Sequence, residues 1–165
     1  MPKVVLVGPM GAGKSTVGTL LAEGWGVAAR DTDTDVEALE GRSISDIFVE
    51  SGEGHFRDVE RKAVAEALAT HDGVLALGGG AVLDLGTREL LTGHTVVFLR
   101  VGLSDAVKRV GLGSSRPLLL GNVRSRIKAL LDERTPVYES VATLVVDTDG
   151  RTPDEVAAEI VAGLS

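Results

Sequence analysis

Four consecutive aliphatic residues, Val4-Val5-Leu6-Val7, run directly into Gly8-Pro9-Met10-Gly11-Ala12-Gly13-Lys14-Ser15-Thr16. The apolar run reads as a buried strand, and the stretch from Thr16 to about Glu23 reads as a helix. Between them the spacing is Gly, four residues, Gly, Lys, Ser, which confines the chain to a strand, a tight loop and a helix. Gly8, Gly11 and Gly13 let the backbone turn its N–H groups inward, making a cradle for an anion. The positive end of the following helix points at the same place. In such a loop Lys14 reaches the β- and γ-phosphates of a nucleotide and the Ser15 hydroxyl holds Mg²⁺. The candidate nucleotide contacts are therefore Gly11, Ala12, Gly13, Lys14, Ser15 and Thr16. Glycine-rich turns match this spacing by chance, but rarely between a strand and a helix.

The remaining chain alternates in the same way. Apolar runs recur at Val27–Ala29, Val74–Leu77, Thr95–Leu99 and Leu144–Val146. Helical patterns lie between them, at Val36–Leu39, Phe56–Leu68, Asp105–Val110, Val123–Leu131 and Val156–Val161. Strands that are apolar throughout and alternate with helices predict a parallel sheet covered on both faces. The expected fold is thus a three-layer α/β/α domain with five parallel strands. Its last helix has a written start: Thr152 as N-cap, Pro153 at the first position and Glu155 completing a capping box.

With 165 residues one domain is expected, spanning 1–165. The formal charge of −7 argues against nucleic acid as a partner. No apolar run approaches the ~20 residues of a membrane span. The start at Met1-Pro2-Lys3 leads straight into the first strand, so no signal peptide is expected. The chain has no cysteine, which fits a reducing cytoplasm and rules out thiolate metal sites.

Ligands of such sheets lie beyond the carboxyl ends of the strands, and each end here carries something chemically unusual. The second apolar run leads into Arg30-Asp31-Thr32-Asp33-Thr34-Asp35. In an extended chain Asp31 and Asp33 share a face, one placed near Mg²⁺ and the other near a substrate hydroxyl. The alternative is that these acids cap and open the next helix, which suits Asp35 best. The third ends in Gly78-Gly79-Gly80, bare backbone for a close ligand. Arg57 stands near the start of a long helix, where Glu53 and Glu60 offer it simple pairing on an exposed face. Arg116 lies in Gly111-Leu112-Gly113-Ser114-Ser115-Arg116-Pro117-Leu118-Leu119-Leu120-Gly121, a composition suited to a lid. Arg134 lies in Asp132-Glu133-Arg134-Thr135-Pro136, read as the end of a helix.

These segments in this order resemble the shikimate kinase family over essentially the whole chain. The resemblance rests on GPMGAGKST, the Asp31–Asp33 triplet, SGEGHFRDVE at 51–60, GGGAV at 78–82, RPLL at 116–119 and ERTPVY at 133–138. It implies a kinase of the phosphate-loop fold that moves the γ-phosphate of ATP to the 3-hydroxyl of shikimate, in aromatic amino-acid biosynthesis. It implies that Asp33 binds the ring hydroxyls and takes the proton, and that Arg57 and Arg134 clamp the carboxylate. Gly79 then meets the ring through its backbone, Arg116 comes from a mobile lid at about 111–123 to the phosphates, and helices at about 33–61 bind the substrate. Asp31 joins Ser15 at one Mg²⁺ per subunit, and Arg109 and Arg151 correspond to adenine contacts. A monomer is expected for this family.

Two other readings remain at this point. A gluconate-type kinase also handles a hydroxylated carboxylate, whereas a nucleoside monophosphate kinase needs a second phosphate site and aromatic surface that one Trp, one Tyr and three Phe hardly supply. A nucleotide-sensing module without turnover leaves the paired aspartates and the lid without purpose.

Overall fold

The sheet is built from β1 (Val4–Val7), β2 (Ala29–Asp31), β3 (Val74–Ala76), β4 (Val96–Arg100) and β5 (Leu144–Asp147). They are hydrogen-bonded in the order β2-β3-β1-β4-β5, every pairing parallel. The computed structural model describes residues 1–111 and 120–165. Among these the helices are α1 (Lys14–Trp25), α2 (Thr32–Glu40), α3 (Ile44–Thr70), α4 (Leu85–Leu91), α5 (Leu103–Gly111), α6 (Leu120–Val141) and α7 (Pro153–Leu164). A single 3₁₀ turn, Ala81–Leu83, follows the three glycines. The three-layer parallel architecture expected from the alternation is the one observed.

Central β1 is buried on both faces, and its pleat divides it between two cores. Val4 and Leu6 pack with Val17 and Leu21 of α1 and Val156 and Ile160 of α7. Val5 and Val7 pack on the opposite face with Val64 and Leu68 of α3, Leu91 of α4 and Tyr138 of α6. Each such side chain contributes roughly 1.5–3 kcal/mol by leaving water. A third cluster, Val36, Ile47, Phe56 and Ala63, fastens α2 to α3 and sets that pair beside the strand ends. The capping box at Thr152 forms as expected: Glu155 N–H donates to Thr152 Oγ1 at 3.2 Å and Thr152 N–H donates to Glu155 Oε1 at 3.1 Å.

Three expectations need correction. The second strand is not Val27–Ala29 but Ala29–Asp31. Gly26 ends α1 in the left-handed region (φ 67°), and Val27 N–H returns to the Ala22 carbonyl at 3.0 Å, so Val27 belongs to the helix stop. Helix α3 is far longer than Phe56–Leu68, with a kink at Gly52 (φ 84°, ψ 169°) that only glycine adopts easily. Helix α4 was not foreseen, because Leu85 and Leu90 are exposed and leave no apolar stripe to read.

Candidate active site

One cavity of about 600 Å³ opens at the carboxyl ends of the strands. Its floor is the loop from Pro9 to Thr16, and its far wall is formed by Asp33 of α2, Arg57 and Glu60 of α3, Gly79, Gly80 and Arg134 of α6. The phosphate loop and the charged far wall therefore share one space.

On the loop side, Gly13 caps α1 in the left-handed region (φ 90°), which frees the first N–H groups of the helix to face an anion. The Lys14 ammonium donates to the carbonyls of Gly8 and Pro9 at 2.7 and 3.0 Å. Burial draws its pKa down to about 8, an effect opposed by Asp33 and Asp31 and helped by Arg134. The Ser15 hydroxyl donates to Asp31 Oδ2 at 3.0 Å. Asp31 Oδ1 accepts from Asp33 N–H at 2.8 Å and so caps α2.

Asp31 and Asp33 both line the cavity, but not as neighbours on an extended chain. Asp31 ends β2, and Asp33 already stands in the first turn of α2. The strand-to-helix turn, rather than strand alternation, converges them. Asp35 points away and pairs with Arg30 at 2.7 Å. Burial raises the Asp33 pKa to about 6, with further upward pressure from Asp31, Glu60 and Glu37 and relief from Lys14.

Glu60 is 4 % exposed, and its carboxylate accepts from Arg57 Nη1 at 2.7 Å. Burial pushes its pKa up although Arg57 pulls it down. Arg57 also reaches Glu53 at 3.6 Å. The pairing anticipated as an alternative role for Arg57 thus exists: its Glu60 half faces the cavity, while Glu53 stays exposed to solvent. Arg134 is not at a helix end: α6 runs on through Pro136 to Val141, held there by Tyr138, Val137 and Val141 packing on the sheet. Arg134 lines the cavity, and its buried Nε has no hydrogen-bond partner among the described residues.

The three glycines have separate tasks. A Cβ on Gly78 would lie 2.5 Å from Asp33 Oδ1 and 3.0 Å from Glu60 Oε2. A Cβ on Gly80 would lie 2.5 Å from Arg57 Nη2. Gly79 and Gly80 both line the cavity, but of the three only Gly79 has room for a Cβ, which would meet nothing closer than 3.6 Å.

A family model described as shikimate kinase matches residues 10–165. A shikimate kinase of Salinispora arenicola is 60% identical over 164 residues, covering 99% of this chain and 98% of its own. This chain belongs to the shikimate kinase family. The structure of the Acinetobacter baumannii shikimate kinase in complex with shikimate superposes with a TM-score of 0.90 at 36% identity, covering 98% of this chain and 91% of that one. A Sinorhizobium meliloti gluconokinase shares the fold at a TM-score of 0.61 and 24% identity.

Within this shikimate kinase fold the two remaining arginines, Arg109 and Arg151, are not among the residues that line the cavity. Arg109 donates to the Gly11 carbonyl at 2.9 Å and to the Thr148 hydroxyl and carbonyl at 3.1 and 3.0 Å. Arg151 donates to the Asp147 carbonyl at 3.0 Å and to Glu159 at 3.1 Å. Both thus flank the turn after β5, and Arg109 ties it to the phosphate loop. Arg116, with most of the expected lid, lies outside the described residues. Glu60 is the site residue that sequence reading undervalued, treating it only as a surface partner. Its signal was legible: it falls on the buried stripe of α3 with Phe56, Ala63, Val64 and Ala67, where a carboxylate does not belong without a task.

Proposed function

We propose that the chain transfers the γ-phosphoryl group of ATP to the 3-hydroxyl of shikimate, giving shikimate 3-phosphate and ADP. The observation that carries this is the cavity itself, in which a nucleotide loop faces two guanidinium groups and a carboxylate with raised pKa. Arg57 and Arg134 take the acceptor's carboxylate by paired N–H donors. Asp33 accepts the proton of the 3-hydroxyl as its oxygen bonds to the γ-phosphorus, and the bond from that phosphorus to the bridging oxygen breaks, releasing ADP. Lys14 leaves its two loop carbonyls for the phosphate oxygens, and Arg116 is assigned to the same charge. Arg109 and Arg151 are assigned to the adenine.

Mg²⁺ fits the oxygens of Ser15 and Asp31, hard donors that stand 3.0 Å apart beside the loop. Among the described residues no three His, Cys, Asp or Glu side chains cluster for a metal, so phosphates and water would complete the shell. What the cation supplies when bound is neutralisation of phosphate charge. A monomeric cytoplasmic enzyme completes the reading, supported by the family likeness and the cysteine-free chain.

An assay coupling ADP release to a signal, run with shikimate, quinate, gluconate and nucleoside monophosphates in turn, tests the assignment. Turnover confined to shikimate is expected, and preference for any other acceptor would refute it. Arg57→Ala should raise the KM for shikimate by about 10–100-fold and that for ATP less than twofold. It should also lower thermal stability, since Glu60 keeps a buried charge without its partner. Equal change in both constants would return Arg57 to a purely structural pairing.

A further inference from the structure

Two buried hydroxyls grip the glycine wall by its main chain without entering the cavity. Gly78 N–H donates to Thr32 Oγ1 at 3.2 Å, and the Tyr138 hydroxyl donates to the Gly79 carbonyl. Thr32 and Tyr138 are both 0 % exposed, and neither lines the cavity. What they hold has little freedom to shift. Moved inward, Gly78 would collide with Asp33 and Gly80 with Arg57, because even an added Cβ would stand 2.5 Å from each. Moved outward, the wall would admit water beside the same two groups.

Each grip is joined to a different arm of the site. Thr32 is the residue before Asp33 and the first of α2, so its bond ties the wall to the backbone that carries the proton acceptor. Tyr138 follows Arg134 by one helical turn of α6, so its bond ties the wall to the carboxylate-binding arm. The Tyr138 ring is itself fixed by Phe98 of β4, with centroids 4.9 Å apart.

We propose that Thr32 and Tyr138 are positioning residues that register the Gly78–Gly80 wall, Thr32 against the Asp33 arm and Tyr138 against the Arg134 arm. The proposal rests on the shikimate reading given above. The two hydroxyls then have separable kinetic signatures, which buried hydroxyls serving stability alone would not have.

The test is steady-state kinetics of full-length Thr32→Val, Thr32→Ser and Tyr138→Phe with shikimate and ATP, beside melting temperatures. Thr32→Val should lower kcat about tenfold with little change in KM. Thr32→Ser should restore kcat. Tyr138→Phe should raise the KM for shikimate about five- to tenfold while the KM for ATP stays within twofold. Should Thr32→Val not fold, Tyr138→Phe carries the test. Folded variants with wild-type kcat and KM, changed only in melting temperature, would overturn the proposal. Wild-type failure on shikimate would instead overturn the functional reading, and this proposal with it.

Discussion

Asp33→Asn is expected to lower phosphoryl transfer by about 10²–10⁴-fold, and to make the ligand-free protein more stable than wild type at pH 8. The first effect follows from removing the proton acceptor while ATP binding, which rests on the loop, stays close to normal. The second follows from the environment of the same carboxyl group. Its folded pKa of about 6 lies above the ordinary 3.8, chiefly through burial and then through Asp31 and Glu60. A raised acid pKa means that the fold opposes ionisation. The associated stability is complete below about pH 4 and is lost as pH rises through about 6. Asparagine never ionises, so it escapes that loss, worth about 1–2 kcal/mol once solvent in the open cavity is allowed for. Melting temperatures at pH 4 and pH 8 check the sign: the variant should gain at pH 8 and lose its advantage at pH 4. In the wild type, kcat/KM should fall on the acid side with an apparent pKa near 6. An asparagine variant that retains turnover would remove Asp33 from the chemistry, and equal stabilities at pH 8 would remove its strain.

That strain explains which parts of the molecule were legible in the sequence. Where burial alone decides, the pattern was sufficient. Val4–Val7 is apolar because both faces of β1 are covered, and no other element could occupy that position. β2 is an edge strand, half-exposed and carrying Arg30 and Asp31, so the residues that make it useful erase its apolar signature. Asp31 and Asp33 were correctly joined, but by the wrong geometry. An N-capping turn and an extended strand can both place alternate acids together, and the letters do not distinguish them. Pro136 misled for a related reason. Proline lacks the N–H that a helix interior uses, yet packing of Tyr138 and Val141 against the sheet carries α6 past it. The roles of Glu60, Thr32 and Tyr138 depend on contacts across elements and have no local signature beyond polarity at a buried position.

The glycine triplet carries the second large expected effect. Bare backbone for a ligand accounts for Gly79, whereas Gly78 and Gly80 leave space for the protein's own Asp33 and Arg57. Neither needs an unusual backbone: Gly80 has φ −101° and ψ 0°, and Gly78 has no positive φ. Backbone strain therefore adds nothing to the cost of alanine at either position, but at Gly80 the displaced guanidinium leaves Glu60 buried without its partner, so stability should fall there as it does in Arg57→Ala. Function should suffer as well, and differently at each. Gly78→Ala displaces the Asp33 carboxylate and should lower kcat by about 10²-fold. Gly80→Ala displaces the Arg57 guanidinium and should raise the KM for shikimate about tenfold, with kcat nearly kept. If space for Arg57 is the whole purpose of Gly80, the two residues act as one unit. Adding Gly80→Ala to Arg57→Ala should then change nothing further, a coupling as large as the effect of Gly80→Ala alone. Additive losses in that double-mutant cycle would show that the Gly80 backbone meets the substrate itself, and the room-making role would have to be abandoned.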